Sequence, residues 1–284
     1  MWQNLTVDGR KLTTTIQVVH QASQFVAMFG NSYLPKQADD SQNNFDWNEE
    51  TNQLEGRWIE DPEIRLSLDV INFELIIDKY LALEPIPLDG WNKDQVLSNL
   101  IAELKKARID TTKLHTINHF KIPKHPLDAG QAFGKPAKEL LEEWALYLSN
   151  SQLVLEEIKS QYDRASEVRV WPHHFDMGLY IPLSWDGQKK EKQSVGLGLA
   201  IADAYVDEPY FYINHWSESE IAYPESLPKL HFGYWNTKDW KGLVLPASAI
   251  LAHTNQEALV RLFFREGINA TMKLLNCENP VVVR

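Results

Sequence analysis

The chain has 284 residues, of which 44% are hydrophobic and 24% are charged, a composition typical of globular proteins. Its 28 basic and 39 acidic side chains give a formal net charge of −11, which argues against nucleic-acid binding because such binding depends on clustered Lys and Arg. The single cysteine, Cys277, excludes a disulfide within the chain, and no stretch approaches the roughly 18 apolar residues of a membrane-spanning helix.

The N-terminal part of the sequence predicts a helix followed by strands. Apolar residues spaced three and four apart favour a helix over residues 11–29, with Gly30 at its C-cap. The pattern then changes to an alternation of apolar and polar residues, which indicates antiparallel strands joined by turns. These strands are predicted over residues 43–48, 53–59, 64–70 and 73–83.

A second helix and a loop follow these strands. One apolar face indicates an amphipathic helix over residues 94–107, started by Asp89 or Asn92. Residues 112–122 are predicted to be extended. Prolines and glycines over residues 121–136 indicate a loop, which is the best candidate for a domain boundary.

The second half begins with a long helix and then becomes rich in strands. Apolar residues at helical spacing predict one helix over residues 137–162 and a closing helix over residues 255–275. Between the two helices, the apolar pattern predicts strands over residues 168–181, 194–202, 209–215, 229–234 and 240–245.

This order of elements predicts the fold class. Strands that occur in runs, rather than alternating one by one with helices, favour an α+β fold with antiparallel sheets packed with several amphipathic helices. We expect residues 1–125 to contain the N-terminal helix, strands and second helix. Residues 126–284 then contain the long helix, the strand-rich half and the C-terminal helix. One continuous domain is the alternative, because no long flexible linker divides the chain.

The segment Trp171-Pro-His-His-Phe-Asp176 carries the densest set of site-like side chains. If the segment belongs to one strand, its side chains alternate between two faces. His174 and Asp176 then share a face and are the candidate catalytic residues, as proton carrier and general base. His173 falls on the apolar face with Trp171 and Phe175, where we expect a buried histidine bonded to the backbone.

A second block, Glu208-Pro-Tyr-Phe-Tyr-Ile-Asn-His-Trp216, predicts another polar strand face. Alternation places a carboxylate, two phenols, an amide and an indole on one side. Such a face suits a small-ligand pocket, in which apolar walls carry a few polar groups. The alternative is an amphipathic strand whose tyrosines cover a sheet edge. The predicted ligand-binding residues are His174, Asp176, Glu208, Tyr210, Tyr212 and Asn214.

Motifs for metals and cofactors are weaker. His174 and Asp176 could form part of a metal site, with a third ligand from His215, Glu208, His231 or His115. His115, His119 and His125 form a second histidine-rich stretch. The sequence lacks HExxH, paired CxxC and the GxSxG elbow of serine hydrolases. Its glycine-rich stretch before the second block is not the GxGxxG of dinucleotide-binding proteins. We therefore predict neither a metal nor a cofactor.

Six blocks of the sequence carry a resemblance to a known family. They lie at residues 16–19, 104–109, around Trp144, and at 170–178, 208–212 and 242–246. In order and spacing they resemble the bacterial domain-of-unknown-function family 5996 over nearly the whole chain, and the last three blocks contribute most. Residues 31–58 depart most from the family's pattern. The resemblance implies a bacterial protein, and it implies no activity because none is established for the family.

Together these features predict a soluble protein of the cytoplasm, since the N-terminus lacks the basic and apolar regions of a signal peptide. The preferred function is binding of a small molecule in a pocket of the C-terminal half. A non-catalytic interaction or structural protein is the first alternative, and a metal-dependent hydrolase is the second. The sequence predicts no membrane or nucleic-acid partner. It leaves open whether the protein is an enzyme and which oligomeric state it adopts.

Overall fold

The computed structural model describes residues 1–60, 63–79, 83–115, 118–188, 190–238 and 240–277. Its α-helices are α1 (Gly9–Tyr33), α2 (Lys93–Lys106), α3 (Lys138–Lys159), α4 (Ala247–Leu251) and α5 (Gln256–Leu274). The strands of the first half are β1 (Asp46–Asn48), β2 (Gln53–Glu55), β3 (Ile59–Glu60), β4 (Glu63–Asp69), β5 (Glu74–Lys79) and β6 (Ile86–Pro87). Those of the second half are β7 (Arg169–Trp171), β8 (Asp176–Trp185), β9 (Glu191–Ala200), β10 (Tyr210–Ser217), β11 (Tyr234–Asn236) and β12 (Gly242–Pro246). Helices combined with antiparallel sheets confirm the predicted α+β fold class.

Contacts between residues divide the chain into two compact units. Unit 1 consists of Met1–Thr13, Leu146–Val168 and Asp176–Arg284, and unit 2 consists of Thr14–Ala145 and Arg169–Phe175. The divisions fall within α1, within α3, directly before β7, and between β7 and β8. The boundary predicted between residues 125 and 126 lies inside unit 2.

Unit 2 contains an antiparallel sheet and helix α2. The strands follow the order β1-β2-β4-β5-β6, and β3 pairs with β4. Leu66, Leu68 and Leu75 of the central strands are fully buried. Helix α2 begins after Asn92, whose side chain accepts the Gln95 N–H while the Gln95 side chain accepts the Asn92 N–H. This capping box satisfies two backbone donors and fixes the helix start at one of the two predicted positions.

Unit 1 contains the strand-rich part of the second half. Its strands follow the order β11-β12-β10-β9-β8. One face of this sheet is apolar and packs on α5, where the rings of Phe211 and Phe264 lie 5.5 Å apart. Gly267 of α5 leaves room for Ile213, since a Cβ there would lie 2.3 Å from the Ile213 Cδ1 atom. The buried side chains of this face are Met177, Leu179, Ile181, Val195, Leu197, Leu199, Phe211, Ile213, Leu243 and Leu245.

Helix α1 is longer than predicted. It continues through Gly30 to Tyr33, so the prediction that Gly30 caps the helix is wrong. A Cβ at Gly30 would lie 2.4 Å from the carbonyl oxygen of Gln42, so the glycine permits close backbone approach and does not end the helix. Neither α1 nor any other described helix is both long and apolar enough to cross a bilayer.

Two segments predicted to be extended are not strands. The described part of residues 112–122, which omits 116 and 117, has irregular backbone after the 3-10 turn Thr111–Lys113. The strand predicted over residues 229–234 is also wrong, because β11 begins only at Tyr234. Gly233 has a φ of 78°, a left-handed conformation that interrupts an extended run. Residues 80–82 of the strand predicted over 73–83 lie outside the described part, as do the residues after 277.

Candidate functional site

The segment from Trp171 to Asp176 is not one continuous strand. β7 ends at Trp171, and the chain turns over residues 172–175 before β8 begins. The Phe175 N–H donates to the Trp171 carbonyl over 2.7 Å. Phe175 has a φ of 56°, which is rare for a bulky residue. The prediction of a strand through this segment is wrong, because the turn that follows β7 interrupts the pleat.

The prediction that the two candidate catalytic residues, His174 and Asp176, share one face of a strand is therefore wrong. His174 is an exposed turn residue of unit 2, whereas Asp176 is the half-buried first residue of β8 in unit 1. Their predicted pairing depended on a regular pleat that residues 172–175 do not adopt. His173 is half-buried and not fully buried as predicted, and its ring lies 4.4 Å from that of His174.

The buried histidine of this region is His20, on helix α1. Its ring stacks on Phe175 with the ring centroids 4.8 Å apart. Its Nε2 atom lies 2.7 Å from the carbonyl oxygen of Pro172. Because a carbonyl can only accept, Nε2 carries the hydrogen and donates it. His20 thus holds the turn that separates β7 from β8.

Burial makes His20 a neutral side chain at pH 7. The pKa of His20 is lowered to about 4 in total. Desolvation is the largest cause, and the nearby His174, His173 and Lys93 also contribute to the decrease. The hydrogen bond to the backbone acts in the opposite direction. The sequence prediction missed His20, although its place four residues after Ile16 on the apolar side of the helix was a usable signal.

The polar face of the unit 1 sheet brings together four of the predicted ligand-binding residues. Tyr210, Tyr212 and Asn214 alternate in β10 with side chains of the apolar face, as predicted. Asp176 lies two residues before Gly178 of β8, which occupies the same register row as Tyr212. We call this surface the tyrosine face, defined by Asp176, Tyr180, Tyr210, Tyr212, Asn214, Trp216 and Tyr234.

A hydrogen bond between Tyr212 and Asp176 crosses the middle of the tyrosine face. The Tyr212 hydroxyl donates to Asp176 Oδ2 over 2.6 Å. Strand β9 lies between the two strands, and its residue opposite Tyr212 is Gly198, which has no side chain to obstruct the ring. Burial and then the charge of Asp176 raise the pKa of Tyr212 well above its usual value. The phenol therefore stays protonated and acts as a donor.

Tyr210 makes a second bond between a phenol and a carboxylate. Its hydroxyl donates to Asp203 Oδ2 over 2.7 Å. Burial, followed by the hydrogen bond and charge of Asp203, raises the pKa of Tyr210 far above its usual value. Val206 packs against Tyr210 and Val244. Tyr210 thus anchors the loop over residues 201–209 at one end of the tyrosine face.

Asn214 lies across the glycine row of β9. Its Oδ1 atom accepts the Gly196 N–H over 3.0 Å, and a Cβ at Gly196 would lie 2.3 Å from that oxygen. Because a backbone N–H must donate, the amide oxygen is fixed on Gly196 and the Nδ2 group remains as a donor. Within the described part of the chain, Nδ2 of Asn214 has no hydrogen-bond partner.

Glu208 directs its hydrogen bonds to helix α4. Its side chain is buried, and its carboxylate accepts the Ser248 N–H at 2.9 Å and the Ser248 hydroxyl at 2.6 Å. The Nη2 atom of Arg10 lies 3.7 Å away. These contacts attach the chain just before β10 to α4, so this predicted ligand-binding residue has structural partners.

Exposed aromatic rings surround the centre of the tyrosine face. Strand register places Tyr180, Trp216 and Tyr234 on it, and these side chains are 42%, 46% and 46% exposed. Burial, aided by a hydrogen bond to Glu191, raises the pKa of Tyr180 to about 12, so its ring is neutral. The sequence predicted the side of Trp216 but missed the two tyrosines. The even spacing of Tyr180 from Asp176 was the available signal.

Metal ligation receives no geometric support in the described residues. They contain no group of three or more His, Cys, Asp or Glu side chains that could hold a metal ion. Two of the histidines considered as ligands have other partners: His215 lies 2.6 Å from the Tyr223 hydroxyl, and His119 lies 3.0 Å from Asp40. His125 caps the 3-10 turn that follows it. The metal-dependent hydrolase hypothesis thus gains nothing from the geometry.

Three surface grooves are lined by other residues. One of 570 Å³ is lined by α3 and α5, one of 490 Å³ lies beside Trp58 and Arg65, and one of 460 Å³ lies at the start of α2. None of these three grooves includes His174, Asp176 or a residue of β10.

Comparison of the chain with protein-family models found no match. Comparisons with curated proteins and with solved structures also found no match. The resemblance to the domain-of-unknown-function family 5996 therefore stays a prediction, and the function must be inferred from geometry and chemistry.

Proposed function

We propose that the protein binds a small molecule on the tyrosine face of unit 1. The observation that carries this proposal is the hydrogen bond from Tyr212 to Asp176 across Gly198, on a face with exposed aromatic rings. Small-molecule sites typically combine aromatic walls with a few polar groups in fixed positions. The fixed polar groups here are a phenol, a carboxylate and the amide of Asn214.

Strand β9 carries small residues beneath the side chains of the tyrosine face. The β9 residues that share register rows with this face include Gly198, Gly196 and Ser194, all of them small. The flanking strands β8 and β10 present Tyr180 and Trp216. The Tyr212 ring crosses Gly198 and the Asn214 side chain lies over Gly196, so a ligand would bind on top of these two side chains, beside the exposed rings of Tyr180 and Trp216.

The proposal is limited to binding. The Tyr212 hydroxyl and the Asp176 carboxylate already bond to each other. The side-chain amide of Asn214 retains an N–H donor, which can bond to an oxygen atom of the ligand. His174 and Glu208 are left out, because the first belongs to unit 2 and the second bonds to α4. The bacterial and cytoplasmic setting predicted from the sequence is retained as part of the proposal.

A thermal-shift screen against a panel of small molecules, followed by Kd measurements, tests this function on the wild type, Tyr212→Phe and Tyr33→Phe. Tyr33 is the matched control because its hydroxyl also donates one hydrogen bond, to the Asp110 carbonyl, within unit 2. We expect compounds whose Kd rises about fivefold in Tyr212→Phe, a loss of about 1 kcal/mol, because the Asp176 carboxylate then lacks the phenol that holds it in position. Their Kd should be unchanged in Tyr33→Phe. The same Kd in all three proteins for every compound would contradict the proposal.

A non-catalytic interaction protein is the alternative, and the exposed rings of Trp216 and Tyr234 favour it because interfaces are enriched in aromatic side chains. Sedimentation of the wild type and Trp216→Ser over a concentration series tests a second copy of the chain as the partner. A dimer formed by the wild type and lost in the variant would support this alternative. Monomers in both samples would leave the small molecule as the preferred occupant.

A further inference from the structure

We propose that the groove between α3 and α5 binds a small amphipathic carboxylate, a molecule with one anionic head group and an aliphatic tail. The groove has a volume of 570 Å³, which lies within the range of typical small-ligand sites. All of its lining residues belong to unit 1. This site is separate from the tyrosine face, because none of the described residues that line the groove belongs to that face.

Aliphatic side chains from both helices line the groove. Val154 and Ile158 come from α3, and Leu262 and Ile268 come from α5. Leu262 is half-buried, and the other three are buried. A ligand tail that covers these side chains is removed from water, and each methylene group buried in this way strengthens binding about threefold. The groove therefore suits an aliphatic tail.

Arg265 brings to the groove a positive charge that no carboxylate neutralises. Its side chain is exposed, and within the described part of the chain it forms no hydrogen bond and no ion pair. The neighbouring Glu266 instead accepts the His231 N–H and lies 2.6 Å from Nδ1 of the His231 ring. A planar guanidinium group binds a carboxylate through two parallel hydrogen bonds. Arg265 is thus available to hold a carboxylate head group.

The other arginine of the groove is already paired. Arg261 bonds to Glu157 of α3 and lies 2.9 Å from Glu257 of its own helix. Because two carboxylates lie beside Arg261, a ligand with two negative charges would be repelled from this part of the groove. A single negative charge opposite Arg265 meets an unpaired cation, so a carboxylate is favoured over a doubly charged phosphate.

Two neutral donors in the groove can add to the contacts of the head group. Asn269 lies one helical turn after Arg265, which places the two Cβ atoms about 6 Å apart. Tyr162 contributes a phenol, whose pKa is raised by burial, so the hydroxyl stays protonated. Among the described residues, neither side chain has a hydrogen-bond partner. Both line the same groove and can donate to an oxygen atom of the ligand.

Octanoate is the probe for this site. It combines a carboxylate with an unbranched aliphatic tail. Its neutral counterpart, octanamide, has the same tail and a head group of nearly the same shape but no charge. Hexanoate keeps the charge and lacks two methylene groups. Comparison of the three compounds therefore separates the contribution of the charge from that of the tail.

Isothermal titration calorimetry measures the three compounds against the full-length wild type, Arg265→Gln and Lys273→Gln. Lys273, an exposed cation in the last turn of the same helix that does not line the groove, is the control for the loss of one positive charge. We expect octanoate to bind the wild type about tenfold more tightly than either octanamide or hexanoate. The ratio of octanoate to octanamide affinity should fall to about twofold in Arg265→Gln and persist in Lys273→Gln.

A second variant tests the neutral donor of the groove. Tyr162→Phe removes the hydroxyl and leaves Arg265 and the aliphatic walls in place, so octanoate should bind about threefold more weakly. Tyr212→Phe is the control, since it loses a phenol outside the groove and should leave octanoate binding unchanged. Circular dichroism melting curves establish that each variant is folded before titration.

Four results would overturn the assignment of this groove. No binding of octanoate at millimolar concentration rejects the site, and equal affinity of the wild type for octanoate and octanamide rejects an anionic ligand. Equal affinity for octanoate and hexanoate rejects an aliphatic tail in the groove. Octanoate binding that depends on Tyr212 but not on Arg265 places the carboxylate on the tyrosine face instead. The first three results leave the function proposed for the tyrosine face unaffected.

Discussion

His20 and Tyr212 are both polar side chains whose neutral form is favoured by burial. Burial is the largest cause of the change in each case, and it lowers the pKa of His20 but raises that of Tyr212. The directions differ because low-dielectric surroundings disfavour the charged form, which is the acid form of histidine and the base form of tyrosine. Each side chain then acts as a hydrogen-bond donor, to Pro172 and to Asp176 respectively.

The lowered pKa of His20 predicts a loss of stability in mild acid. Its folded-state pKa of about 4 lies below the usual value of 6.5, so the unfolded chain takes up the proton first as the pH falls. Stability from neutral His20 is therefore complete above pH 6.5 and is lost towards pH 4. From this residue alone, the free energy of unfolding should fall by about 3 kcal/mol between pH 7 and pH 4.

Urea unfolding of the wild type, His20→Gln and His231→Gln at pH 7, 5.5 and 4 measures this effect. Glutamine at position 20 keeps a donor for the Pro172 carbonyl but does not titrate. His231 is the control, because its side chain is 76% exposed. The wild type and His231→Gln should lose about 3 kcal/mol more than His20→Gln over this range. Parallel profiles for all three proteins would show that His20 is not buried in its neutral form.

At the scale of elements, several glycines mark places where one segment approaches the backbone or side chain of another. Gly30 of α1 meets the Gln42 carbonyl, and Gly196 of β9 meets the side chain of Asn214. In both cases a Cβ would lie closer than 2.5 Å to an oxygen atom. These glycines therefore allow another segment to approach closely. Helix and strand propensities describe a residue within its own element and do not take this approach into account.

Gly30→Ala tests the close approach of α1 to the chain at Gln42. In an ordinary helix interior, alanine is more stabilising than glycine by about 1 kcal/mol. We expect the opposite here, a loss of about 2 kcal/mol in the free energy of unfolding, because the new Cβ would lie 2.4 Å from a backbone oxygen. Gly134→Ala is the control, since nothing lies within 4 Å of its Cβ position. Urea unfolding that shows Gly30→Ala to be more stable than the wild type would contradict the packing at Gln42.

The sequence predicted the elements whose pattern is local. Periodicity located α2, α3 and β10, and the alternation in β10 identified Tyr212 and Asn214 as neighbours on one face. Prediction from the sequence failed where a residue distant in the chain determines the backbone conformation. An example is the turn in which Phe175 stacks on His20. For the same reason, the prediction paired His174 with Asp176. Tyr180 of β8 was missed although its even spacing from Asp176 is a local signal.

At the scale of the whole molecule, the units do not follow chain order. Leu5 belongs to the same unit as α5, where its N–H donates to Gln256 Oε1 over 2.8 Å and its carbonyl accepts from Gln256 Nε2 over 2.9 Å. Gln3 makes a similar pair of bonds with Asn150 of α3. A boundary chosen from prolines and glycines near residue 125 follows chain order, so it could not reveal a unit assembled from three separate segments.

The most direct test of the tyrosine face as the binding site is an NMR titration of the isotopically labelled full-length protein with the tightest-binding compound of the panel. The account predicts that the largest chemical-shift changes occur at the backbone amides of Gly196 and Gly198 and at the side-chain amide of Asn214. Changes confined to residues 172–175, or to the groove lined by α3 and α5, with Gly196 and Gly198 unaffected, would contradict it.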